Sequence, residues 1–152
     1  MVPLILLALG ACTGGQEPDQ PDESFAVPEI TGRGGTELPS QEDVRAALDD
    51  ATEAFAGQVD AAGTGTGQVA DAAAGPHVLR VVCTSTDGAP VTVSVSAAGA
   101  DLTSYQAPCA PVFQGGSTMA ESDAFEVPAG ALDVSVAANS ESVVAVGLVA
   151  AG

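Results

Sequence analysis

The second half of the chain alternates. Val91, Val93 and Val95 are interleaved with Thr92, Ser94 and Ser96, and Leu132, Val134 and Val136 with Asp133 and Ser135. A period of two puts every second side chain on one face, so these segments read as strands with one buried and one polar face. Val78, Arg80 and Val82 alternate with Leu79, Val81 and Cys83, and Val143 to Val149 is almost continuously apolar, as expected of a more deeply buried strand. Turn residues divide the segments: Asp87-Gly88, Gly99, Gly115-Gly116, Pro128-Ala129-Gly130 and Asn139-Ser140. Short strands at this spacing predict a mainly β chain with a small antiparallel β-sandwich over residues 69–152, rather than alternating βαβ units.

Upstream the period changes. Val44, Leu48, Ala51, Phe55, Val59 and Ala62 recur every three or four residues, with Pro39 and Ser40 in front. This predicts one amphipathic helix over 40–62, capped by Ser40, with Arg45 and Asp49 one turn apart. Gly63-Thr64-Gly65-Thr66-Gly67 ends that helix, and 63–68 reads as a Gly/Thr linker. Residues 12–39, with Pro18, Pro21, Pro28 and Pro39 among acidic and Gly residues, hold too few apolar groups to offset the entropy of ordering. A disordered acidic tether is the expectation there.

The N-terminus carries an address. Residues 2–9 are wholly apolar, too short to span a ~30 Å hydrocarbon layer, and fit the h-region of a signal peptide. Leu9-Gly10-Ala11-Cys12 follows, then a polar run. This resembles the bacterial lipobox. The resemblance implies cleavage after Ala11, a diacylglyceryl group on Cys12, and anchoring to the outer face of the cytoplasmic membrane; each buried methylene contributes about 0.8 kcal/mol, so two or three chains hold stably. No Lys or Arg precedes the h-region, so the signal peptide (1–11) is expected to be truncated at its start. With its acidic tether, Ala-rich helix and sandwich, the chain resembles the small secreted lipoproteins of high-GC actinobacteria, a likeness of layout that implies a location and no activity.

An exported compartment changes the reading of the cysteines. With Cys12 given to lipid, Cys83 and Cys109 remain, and a disulfide between them is expected. Closing that loop stabilises by roughly 3.5 kcal/mol on the chain-entropy model. A reactive thiol pair would need Cys-x-x-Cys spacing and cationic neighbours, and has neither.

Charge removes further possibilities. The net charge is -17, with 20 acidic residues against three arginines and one histidine. Nucleic-acid binding needs clustered cations, and Arg33, Arg45 and Arg80 are scattered. Twelve of the acidic residues lie between Glu17 and Asp60, so the charge belongs mainly to the tether and predicted helix.

Candidate chemistry is sparse. His77, the single imidazole, reads as a surface residue at a strand start, and there is no Gly-x-Ser-x-Gly elbow. Gly63 to Gly67 lacks the preceding strand and the Lys of a phosphate loop. No catalytic residue, metal site or cofactor is therefore expected, although Asp101, Asp123 and Glu126 are the carboxylates a glycosidase reading would nominate. Sugar-binding sandwiches usually stack rings on exposed aromatics; Tyr105, expected in the loop before Cys109, is the one candidate, and Phe113 and Phe125 are assigned to the core. The leading expectation is a non-enzymatic, lipid-anchored envelope domain acting through protein or glycan contacts. The alternative is a small-molecule or carbohydrate-binding module.

Overall fold

Ser40 caps a helix in the way its sequence predicts. In the computed structural model, which describes residues 37–152, the Asp43 amide donates to Ser40 Oγ (3.2 Å) and the Ser40 amide to Asp43 Oδ2 (3.4 Å), a reciprocal capping box. The helix it opens, α1 (Gln41–Ala46), is only six residues long. The chain turns through Asp49, which has φ 59°, and enters strand β1 (Thr52–Val59). The expected helix over 40–62 is thus corrected. Apolar residues four apart share a helix face, but four is also twice two, so Ala51, Phe55 and Val59 suit a strand equally well. Pairing decides it: β1 covers the open edge of strand β10 (Ser142–Ala150), with Ala56 opposite Ala145 and Gly57 opposite Val144. Arg45 bonds Glu42 (2.8 Å) and Glu53 (2.9 Å) rather than Asp49.

The expected linker 63–68 is also corrected, because it lies in strand β2 (Thr64–Ala72). Thr64, Thr66 and Gln68 are exposed, while Gly65 and Gly67 occupy the inward positions where a strand normally carries apolar side chains. A Cβ on Gly65 would sit 2.6 Å from Phe55 Cζ, and one on Gly67 would collide with the Ala54 carbonyl oxygen. Glycine here permits close backbone approach between β1 and β2. The sandwich therefore begins well before residue 69.

The remaining strands are β3 (Gly75–Ser85), β4 (Val91–Ala97), β5 (Ala100–Ala107), β6 (Ala110–Pro111), β7 (Thr118–Glu121), β8 (Phe125–Val127) and β9 (Gly130–Ala138). They form two sheets. The first has the order β1-β10-β3, and the far edge of β3 is taken up in turn by β8, β7 and β6. The second is antiparallel throughout, in the order β2-β9-β4-β5. Leu79, Val81, Cys83, Val144, Val146 and Leu148 from the first sheet face Val91, Val93, Val95, Leu132, Val134 and Val136 from the second, forming a core without Trp. The expected mainly β sandwich is the observed fold.

A second, smaller core lies on the other face of the first sheet. Val44 and Leu48 from α1 and its following turn cover Val82, Val143 and Ala145, with Leu38 and Ala51 beside them. Leu38 had been assigned to the tether, so the packed region starts earlier than residue 40. Gly147 makes room for the cover, since a Cβ there would lie 2.6 Å from Ala51 Cβ. Burial on both sides accounts for the continuous apolar run of β10. Arg80 fastens this edge, donating to the Leu48 carbonyl (3.0 Å) and pairing with Glu121 (2.8 Å) and Asp50 (3.3 Å). The Glu121 hydrogen bond, followed by Asp50, holds its guanidinium pKa above the ordinary value.

Cys83 and Cys109 form the expected disulfide, with Cα atoms 4.7 Å apart. It continues the parallel register of β3 and β6, in which Thr84 lies opposite Ala110. Two turns at that end are tied by Asp87, which accepts from Ser140 Oγ (2.6 Å) and the Ala89 amide (3.0 Å). Those bonds, Ser140 first, lower its pKa. Cys12, the expected signal peptide and most of the expected tether (12–39) lie outside the described residues. Among the described residues, no helix is long and apolar enough to cross a membrane.

Candidate functional site

The outward positions of the second sheet line up across all four strands. Thr66 of β2 lies opposite Ser135 of β9, which lies opposite Ser94 of β4, which lies opposite Ser104 of β5. One step along, Gln68, Asp133, Ser96 and Asp101 make a second row. Every outward side chain in these two rows is polar. The complementary inward rows, such as Gly67, Val134, Val95 and Thr103, turn toward the core.

Side-chain size gives this face its relief. Ser94, Ser96 and Ser135 on the central strands are half-buried and short, whereas Thr66, Gln68, Asp101 and Asp133 stand exposed around them. The result is a concavity of about 600 Å³, lined by both rows apart from Ser104 and floored by the backbone at Gly67 and Val134. That volume falls within the range of small-ligand sites. At one end the two-residue turn Ala98-Gly99, with φ 52° and 83°, joins β4 directly to β5 and keeps Ser96 against Asp101.

The chemistry on offer is hydrogen bonding. Serine and threonine hydroxyls donate and accept, the ionised carboxylates only accept, and the Gln68 amide does both. Gln68 Nε2 donates to Asp133 Oδ1 at 2.7 Å, which orients that carboxylate across the groove. Both arginines among the described residues are committed to Glu42, Glu53, Asp50 and Glu121, so neither neutralises Asp101 or Asp133.

The residues singled out from sequence fall elsewhere. Tyr105 is in β5, not in a loop, and its register partner is the fully buried Val93. Its half-buried ring packs inward against the core, away from the groove. This corrects its expected role as an exposed stacking residue. Phe113, expected in the core, is 65 % exposed on the short 3₁₀ turn Val112–Gln114, because that turn carries Val112 inward instead. Phe125 does pack against the core. His77 is buried at 8 % exposure rather than on the surface, with Nδ1 3.1 Å from the Gly75 carbonyl oxygen. Glu126 is on β8 and Asp123 precedes it, both on the first-sheet side, so neither joins Asp101 as a carboxylate pair. Among the described residues, no group of three or more His, Cys, Asp or Glu could hold a metal ion.

Sequence reading missed Thr66, Gln68, Ser94, Ser96, Asp133 and Ser135 as a set. A signal was available. The outward positions of these strands are mostly short hydroxyls and carboxylates, small enough on the central strands to leave a depression between longer neighbours.

No protein-family model and no curated protein matches the chain. Among solved structures it is similar to the carbohydrate-binding module CBM6cm-2 of lichenase 5A from Cellvibrio mixtus, in complex with cellotriose, at 12% identity over 77% of this chain and 98% of that one (TM-score 0.47). It is also similar to the CBM36-1 domain of a multidomain xylanase from the hindgut metagenome of Trinervitermes trinervoides, at 10% identity over 68% and 94% of the two chains (TM-score 0.43). A third is the C-terminal CBM6 of LamC, a laminarinase from Zobellia galactanivorans, at 13% identity over 60% and 75% (TM-score 0.45). Similarity this distant assigns no residue and no ligand to this chain.

Proposed function

We propose that the sandwich is a non-catalytic binding domain that takes a polyhydroxylated ligand, a glycan or a comparable small molecule, in the groove of the second sheet. The supporting observation is the pair of outward rows built from Thr66, Ser94, Ser104 and Ser135 and from Gln68, Ser96, Asp101 and Asp133. A dense array of donors and acceptors over a concave floor complements hydroxyl groups better than apolar or aromatic ligands. Without an aromatic platform in the groove, each contact is modest, and affinity comes from many hydrogen bonds of about 0.5–1.5 kcal/mol net. We further propose that a lipid on Cys12 anchors the domain outside the cytoplasmic membrane, where clustering of anchored copies raises avidity for a polymeric glycan.

Titrating the full chain with neutral glucan and N-acetylglucosamine oligosaccharides, followed by amide NMR shifts, tests the groove. Shifts confined to β2, β4, β5 and β9, lost on combining Ser94→Val with Ser135→Val, are expected. Shifts centred on the first sheet, or binding that survives the double substitution, would overturn this reading. The anchor is tested by Cys12→Ala, which should move the protein from the membrane fraction to the soluble fraction.

A second reading, contact with an envelope protein, is favoured by one observation. Phe113 and Met119, the large apolar side chains exposed among the described residues, present 65 % and 58 % of their surface to solvent.

A further inference from the structure

The two carboxylates of the groove have a placement that reaches beyond hydroxyl recognition. Asp133 and Asp101 are the cross-strand neighbours of the same residue, Ser96, one on each side. Directly opposed positions are separated by about 4.5–5.5 Å at Cβ, so the carboxylates stand roughly 10 Å apart with a hydroxyl between them. Asp133 is oriented by Gln68, whose amide occupies Oδ1 and leaves Oδ2 for another donor. Acceptors therefore outnumber donors along this row, on a protein whose net charge is already -17.

We infer that the groove selects a ligand bearing an ammonium group among its hydroxyls, such as an amino sugar with a free amine, over its acylated or acidic counterparts. This rests on the groove being the binding face proposed above. An ammonium offers three donors and no acceptor, which matches a row rich in acceptors and lacking a cation of its own. Hydrogen bonds to charged groups are roughly twice as strong as those between neutral ones. Uronates and phosphates meet two unneutralised carboxylates and are repelled. The serine floor between the carboxylates recognises the sugar hydroxyls, and Asp101 and Asp133 read the substituent.

The test compares a glucosamine oligosaccharide with free amines and its N-acetylated counterpart of equal length, both titrated into the full chain by calorimetry while the amines are protonated. The difference in hydrogen-bond strength corresponds to about tenfold tighter binding of the free-amine form. The preference should shrink as salt shortens the screening length from ~10 Å at 0.1 M toward ~3 Å at 1 M. Combining Asp101→Asn with Asp133→Asn should abolish the preference, because it weakens binding of the free-amine form about tenfold more than binding of the N-acetylated form. Equal affinities in the native chain would overturn the inference and leave the binding face standing. A preference that persists in the double Asn variant would also overturn it, assigning the amine's attraction to the acidic residues outside the groove. Failure of both sugars to bind would remove the underlying reading as well.

Discussion

The two sheets are nearly alike on their inner faces and opposite on their outer ones. Inside, both present alternating valine and leucine to the shared core. Outside, the first sheet presents Val82, Val143, Ala145 and Gly147, and α1 with its following turn lies down on them. The second presents serines, threonines and two aspartates, and no element covers it among the described residues. The difference arises from residues at alternate positions only. One sheet is closed on both faces and supplies stability, while the other leaves a polar, concave face open.

The largest test of that contrast lies within one strand. Gly67→Val drives a side chain into the Ala54 carbonyl on the inner side of β2, and is expected to remove at least about 4 kcal/mol or prevent folding, as overpacking against backbone does. Thr66→Val, next to it on the open face, should change stability by no more than about 0.5 kcal/mol. Chemical denaturation of the pair measures both, and comparable losses would refute the division between faces. Replacing Cys83 and Cys109 together by serine should cost about 3.5 kcal/mol, read as a lower denaturant midpoint with a changed slope. Leu48→Ala should cost about 2–3 kcal/mol, because Leu48 is 2 % exposed at the centre of the outer cover. An effect of a few tenths would mean that α1 contributes little to the first sheet.

Much of the fold was legible in the period of two. The central strands β3, β4, β9 and β10, and the pairing of Cys83 with Cys109, follow from alternation and from the count of cysteines left for bridging. Two edge strands did not. In β1, apolar residues four apart satisfy both periods, and a bulge between Glu53 and Phe55 blurs the alternation further. In β2, glycine fills the inward slots, so a strand was disguised as a flexible connector. The groove was less legible still, since Gln68, Asp133, Ser96 and Asp101 are scattered over four segments and meet only through strand order. Tyr105 drew attention for its residue type, yet its position opposite Val93 turns it inward.

The cross-link has a consequence for timing. The loop it closes, residues 84–108, contains the whole β4–β5 hairpin, and that hairpin carries Ser94, Ser96 and Asp101, three of the nine residues that line the groove. The other six, Thr66, Gly67, Gln68, Asp133, Val134 and Ser135, lie on β2 and β9 outside the loop. Oxidation of one thiol pair therefore closes the segment that carries this hairpin, tying its end beyond β5 back to β3 of the first sheet. Reduction leaves the hairpin held by hydrogen bonds and packing alone. A chain folding in a reducing environment thus lacks this brace, and gains it wherever the thiol pair can oxidise.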